Sequence, residues 1–171
     1  MYPSAYIDYL LHFHTDRDYF ECHELLEEYW KKDEKRRVWV GLIQIAVALY
    51  HHRRGNRNGA KRMMQKAAWL LAQERASLQQ LGLDDSKLLE LLKKYMERIE
   101  QGKPYRSIEL PISDKALLQT CLELCEKKGL FWGKESDLHN EFLLHKHARR
   151  DRSDVIAARE QSKQKKRLPN D

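Results

Sequence analysis

Apolar residues recur at intervals of three and four along most of the chain, the spacing that lays a single stripe along an α-helix. Tyr6, Leu10 and Phe13 predict a first helix over about 3–14, with Pro3 well placed near its start. A second opens near Asp16 to Asp18 and runs to Lys32, where the charged stretch from Lys31 to Arg37 interrupts the apolar pattern. From Val38 to Tyr50 every residue is apolar or Gly except Gln44, which predicts a helix buried on nearly all sides at the centre of the domain. Its end is marked by His51, His52, Arg53, Arg54 and then Gly55.

Asn56 or Asn58 can cap a fourth helix reaching to about Leu81. Gly82 breaks the pattern, and Leu88, Leu91, Leu92, Tyr95 and Ile99 describe a fifth, ending at Gly102. The stretch 103–112 holds two of the four prolines and reads as a linker lying extended across the surface. Beyond it, Ser113 or Asp114 can cap a helix carrying Leu117, Leu118, Cys121, Leu122 and Cys125 and closed by Gly129. Leu130, Phe131 and Trp132 read as a short anchor, and Leu138, Phe142, His145 and Arg149 as the stripe of a last helix from Lys134 to about Gln161.

With 7 Gly and 4 Pro in 171 residues there is little material for a turn-rich β fold. The expectation is an all-α, compact single-domain helical bundle built on the helix pair 18–32 and 37–54, with a C-terminal helical extension. Its parts are a helical core over 1–102, the linker 103–112, C-terminal helices over 113–161 packed on or extending from the core, and a disordered basic tail over 162–171.

Charge is unevenly spread. From His145 to Asp171 nine Lys or Arg face four acids, so this end carries five of the six net positive charges. Such a segment can contact a nucleic acid or an acidic partner through phosphate or carboxylate attraction, or can simply be a solvated helix end. Cys22, Cys121 and Cys125 form neither an even disulfide framework nor a zinc spacing, and the last two fit core positions. Asp8, His12, His14 and Asp16 interrupt any long apolar run near the N-terminus, so neither a signal peptide nor a membrane span is expected and a reducing cytoplasm fits best. Bundles of this kind often form homo-oligomers, although no spare apolar face stands out.

The candidate chemistry lies between Phe20 and Trp30. At about 100° per residue, His23, Glu27 and Trp30 fall within roughly 60° of one another on one helix. If the second and third helices form an antiparallel hairpin about Lys31 to Arg37, residues whose numbers sum to about 70 lie side by side. That places Glu27 level with Gln44 and brings His51 near Phe20. The cluster His23, Glu27, Gln44 and His51, with Glu24 at its margin, offers two imidazoles and carboxylates, a donor set suited to a divalent metal ion. Three readings stay open: a metal site, metal-free acid/base chemistry, and a structural pair in which Glu27 accepts from His23 while Gln44 or His51 completes the set. Neither a His-Glu-x-x-His zinc helix nor a Glu-x-x-His pair occurs at this position. Phe20 and Trp30 would line the cluster as pocket walls or core plugs.

A second candidate is the basic corner of Arg53, Arg54 and Arg57, with Lys61 and Arg62, around Gly55 to Gly59. It is a place for an anion, or else solvated charge around a tight turn. His145 and His147 point about 200° apart on a helix, which argues against a shared ligand role.

Phe20, His23, Glu24, Glu27 and Trp30, together with Gly41-Leu42-Ile43-Gln44, Ala46, His51, Gly55-Asn56 and Gly59-Ala60, resemble domain of unknown function 309, a family of small bacterial and archaeal helical proteins. Its signature of a His, three residues, a Glu, two residues and an aromatic is met here by His23, Glu27 and Trp30. The resemblance covers about the first half of the chain. It implies an all-α fold without an established activity, and it carries a suggested metal-binding role onto His23 and Glu27. The leading expectation is a small metal-binding protein in which His23, Glu27 and His51 ligate, Glu24 is a candidate base, and Gln44 orients a ligand. The alternative is a non-enzymatic helical scaffold with a structural His/Glu cluster and a basic tail that contacts protein or nucleic acid.

Overall fold

The computed structural model describes residues 1–146. It contains helices α1 (Ser4–His14), α2 (Tyr19–Lys32), α3 (Arg37–Arg53), α4 (Arg57–Ala72), α5 (Arg75–Gln80), α6 (Asp85–Glu100), α7 (Lys115–Lys128) and α8 (Glu141–Leu144). No strand forms among the described residues, only one isolated antiparallel bridge between Leu83 and Ile112. The fold is an all-α compact bundle, as the periodicity predicts. Its starts are set by local chemistry: Asp18, Asn56, Asp84 and Asp114 each accept a bond from a backbone N–H of the first turn of α2, α4, α6 and α7. No described helix is long and apolar enough to cross a membrane.

Helix α3 is the central element. It packs against α2 on one side and α4 on the other, while α1 lies on α2 and α6 on α4. Its buried residues include Trp39, Leu42, Ile45, Ala46 and Leu49, and only Arg37 is exposed within it. Glycine at position 41 permits the close approach of α4, since a Cβ there would stand 2.4 Å from Leu71 Cδ2. Helix α1 is tied in by buried phenols: Tyr9 donates to Leu42 O at 2.8 Å and Tyr6 to Leu81 O at 2.7 Å.

Three expectations are corrected. The fourth helix does not run unbroken to Leu81 but ends at Ala72, and a separate short α5 follows, which turns Leu78 and Leu81 into the body, where Tyr6 holds the Leu81 carbonyl. The stretch 103–112 carries no helix but does not simply lie on the surface, because Ile108 and Leu110 are buried. The last segment is not helical from Lys134. Residues 130–140 are irregular, α8 begins at Glu141, and Leu143 rather than Leu138 or Phe142 is its buried apolar residue. Of the expected anchor, Phe131 is exposed and Trp132 alone packs, stacked on His14 with ring centroids 4.2 Å apart. The expected continuation to Gln161, His147, Arg149 and the basic tail 162–171 lie outside the described residues.

Candidate functional site

The α2–α3 hairpin has the predicted register. Phe20 meets Tyr50 at 6.1 Å between ring centroids and Tyr29 meets Trp39 at 5.3 Å, pairs whose numbers sum to 70 and 68. Residues 33–36 make the turn, with Glu34 and Lys35 at positive φ and the Trp39 indole donating to Asp33 at 2.8 Å. Phe20, His23, Glu24, Glu27 and Trp30 all fall on the partly exposed side of α2, and Val40, Gln44, Val47 and His51 form the corresponding stripe of α3.

On this face His23 is bracketed by two carboxylates. Its Nε2 lies 2.7 Å from Glu27 Oε2 and its Nδ1 lies 3.5 Å from Glu24 Oε1. Lys31 Nζ reaches Glu27 Oε1 at 3.7 Å. One donor atom from each of His23, Glu24 and Glu27 can be chosen so that all three lie within 4.8 Å of one another. The His23 side chain is 29 % exposed and each carboxylate 38 %, so the group sits at an accessible surface rather than inside the core.

His51 is not brought into this group. Its Nδ1 stands 3.2 Å from Asn56 Nδ2, across the turn into α4, and Tyr50 takes the place against Phe20. The reason is rotational: neighbours on a helix diverge by about 100°, so a level alone does not say which of Tyr50 and His51 faces α2. Burial first, then the Arg54 and Arg62 charges, holds the His51 pKa below its usual value. Gln44 is level with Glu27, yet its Oε1 is buried and has no hydrogen-bond partner, against the expectation of a satisfied amide. Trp30 Nε1 is in the same condition, with Lys35 Nζ 5.8 Å from the ring centroid. Neither Gln44 Oε1 nor His51 thus completes a buried polar set with His23 and Glu27.

A second cluster, His12, Asp16 and Asp18, was not foreseen from the sequence, where Asp16 to Asp18 only mark the opening of the second helix. His12 Nδ1 lies 3.1 Å from both Asp16 oxygens, and this bond is the main cause of a raised His12 pKa. Asp18 is already committed, accepting from Glu21 N at 3.1 Å and from Lys146 Nζ at 2.7 Å, so this cluster is a helix-start network. The basic corner divides: Arg53 is buried, Arg57 donates to the Ile99 and Glu100 carbonyls, and the Arg54 guanidinium lies over the Tyr50 ring at 5.7 Å.

A family model described as "Domain of unknown function (DUF309)" matches residues 6–63, which span α1, α2, α3 and the start of α4. The chain is 52 % identical over 174 residues to the "Uncharacterized protein YpuF" of Bacillus subtilis (strain 168), with all of both chains covered. No solved structure matches.

Proposed function

The chain belongs to the family of the Domain of unknown function (DUF309), and from that premise we propose that the α2 face carrying His23, Glu24 and Glu27 binds a divalent metal ion. The observation that carries this reading is one imidazole bracketed by two carboxylates at a surface about one third exposed. As a purely structural staple the same pair would be weak. A partly exposed i,i+4 ion pair contributes a few tenths of a kcal/mol to about 1 kcal/mol, screened by solvent. An imidazole nitrogen and a carboxylate oxygen suit zinc, iron or manganese and leave open positions.

His23 Nε2 and Glu27 would hold the ion in place of their direct 2.7 Å contact. Glu24, beside Nδ1, would keep the other ring proton in place and so orient the imidazole, the familiar partnership of a carboxylate with a ligating histidine. Glu24 would also be the candidate base, and Gln44 would orient a ligand. A bound ion would supply Lewis acidity to an oxygen of that ligand. Because ligation competes with protons, affinity should fall on acidification. A second reading, metal-free proton transfer by His23 with Glu27 as partner, draws on their direct 2.7 Å contact. In chelator-treated protein, added Zn²⁺ or Mn²⁺ should raise the unfolding temperature of wild type but not of His23→Ala or Glu27→Gln. Equal stabilisation of all three would refute the site.

A further inference from the structure

At the far end of α3 from Glu27's partner level lies a cleft of about 370 Å³, lined in part by His52, Arg53, Gly55, Arg57, Lys103 and Tyr105. All its charged lining residues are cationic. Arg53 is 8 % exposed. Its Nη1 donates to Arg17 O at 2.6 Å and to Ser136 Oγ at 3.0 Å, its Nη2 to Leu143 O at 3.4 Å, and the guanidinium lies 4.6 Å from the Tyr19 ring centroid. Its buried Nε has no hydrogen-bond partner. Behind it Arg17, 1 % exposed, donates to the Lys134 and Ile108 carbonyls. Among the described residues neither guanidinium has a carboxylate at ion-pair distance.

Buried charges in proteins are ordinarily paired, because carbonyl dipoles and ring faces offset desolvation without cancelling the charge. Two such cations beside one cleft with low-dielectric walls focus a positive potential into it. At the mouth Arg57 spends Nε and Nη2 on the Ile99 and Glu100 carbonyls, which fixes the guanidinium in place, and Lys103 is exposed. Gly55 and Gly102 flank the opening at φ 88° and 71°, and a Cβ at either would meet nothing within 4 Å. His52 is a fixed wall, with Nδ1 2.6 Å from Tyr95 Oη and Nε2 3.0 Å from Lys103 O.

We propose that this cleft binds a phosphate group, free or carried by a small molecule, with Arg57 and Lys103 contacting the oxygens and the buried Arg53 supplying the field. A dianion matches the surplus charge better than a carboxylate does, and the Arg57 Nη1, outside its two carbonyl bonds, can donate to an oxyanion. The test is calorimetric titration of the full chain with inorganic phosphate at constant ionic strength, with sodium acetate as the monoanion comparison. Saturable phosphate binding is expected, tighter than acetate binding and weakened at least tenfold in the doubly substituted Arg57→Gln/Lys103→Gln protein; Lys103→Gln alone, which keeps the Arg57 bonds to the Ile99 and Glu100 carbonyls, should weaken it as well. Absence of saturable binding, equal binding of acetate, or unchanged binding by the double variant would overturn the assignment. Wild-type saturation followed by competition with a phosphorylated sugar then separates the two sources. Tighter binding of the sugar ester points to a carried phosphate, and equal or weaker binding points to the free anion.

Discussion

Acidification should unfold this protein through His14. The imidazole is fully buried, Nδ1 donates to Leu10 O at 2.7 Å, and Nε2 accepts from the Leu110 N–H at 3.0 Å. That geometry admits only the neutral tautomer, since a proton on Nε2 would face the amide hydrogen. Burial pushes its pKa down to about 3; the bond to Leu10 works the other way and the Arg17 charge adds to the depression. The folded pKa therefore lies below the unfolded value of about 6.5, the unfolded chain binds the extra proton, and stability rises with pH across the interval between them. The contribution is complete above about pH 6.5 and is lost progressively as pH falls toward about 3. Between pH 7 and pH 5 the loss is about 2 kcal/mol, from about 1.4 kcal/mol per pH unit below the unfolded pKa. Other groups titrate in the same range, His12 with the opposite sign, so the quantity to measure is a difference. Urea unfolding followed by far-ultraviolet circular dichroism, for wild type and His14→Gln at pH 7 and pH 5, should show the stability gap narrowing by about 2 kcal/mol at the lower pH. A gap constant to within about 0.5 kcal/mol would show that His14 does not carry the acid sensitivity. Should the variant fail to fold, the NMR titration of His14 in wild type decides instead: no protonation above pH 5 is expected.

Two further perturbations test the packing. Gly41→Ala would drive a methyl group into Leu71, itself fully buried; overpacking outweighs the gain of up to about 1 kcal/mol in helix propensity, so a net loss of about 1 kcal/mol should appear in the urea midpoint. Cys22, Cys121 and Cys125 are buried, and burial pushes the Cys121 thiol up to about 11 and the Cys22 thiol well above its usual value. Alkylation at pH 8 should accordingly run at least roughly 100-fold slower in native protein than in urea, and equal rates would contradict the buried placement.

The sequence carried the helices with strong caps and a clear apolar stripe. Asp18, Asn56 and Asp114 stand at the helix starts that their residue types suggest, and the run Val38 to Tyr50 became the central helix. Numbering alone gave the level of Glu27 against Gln44 in the hairpin. It could not give rotation about the α3 axis, which is why Tyr50 and not His51 meets Phe20. The break after Ala72 had no Gly or Pro to announce it and follows from the burial of Leu78 and Leu81. The buried polar hub of His14, Arg17 and Arg53 also left no local signal, because most of its partners are backbone carbonyls and amides as far away as Ile108, Leu110 and Lys134. For the candidate site, His23, Glu24 and Glu27 come together because helix geometry fixes neighbours one turn apart, whereas the unpaired Gln44 oxygen depends on the packing of two helices.

The His23 face is proposed to hold a metal ion. The most direct test is the metal-to-protein ratio of untagged protein, equilibrated with equimolar Zn²⁺ or Mn²⁺ and freed of excess, for wild type beside His23→Ala and Glu27→Ala. One ion per wild-type chain is expected, none in either variant, and variants nearly as stable as wild type because the pair they break is partly exposed. Metal-free wild type, or the same ratio in all three proteins, would contradict metal binding at this face.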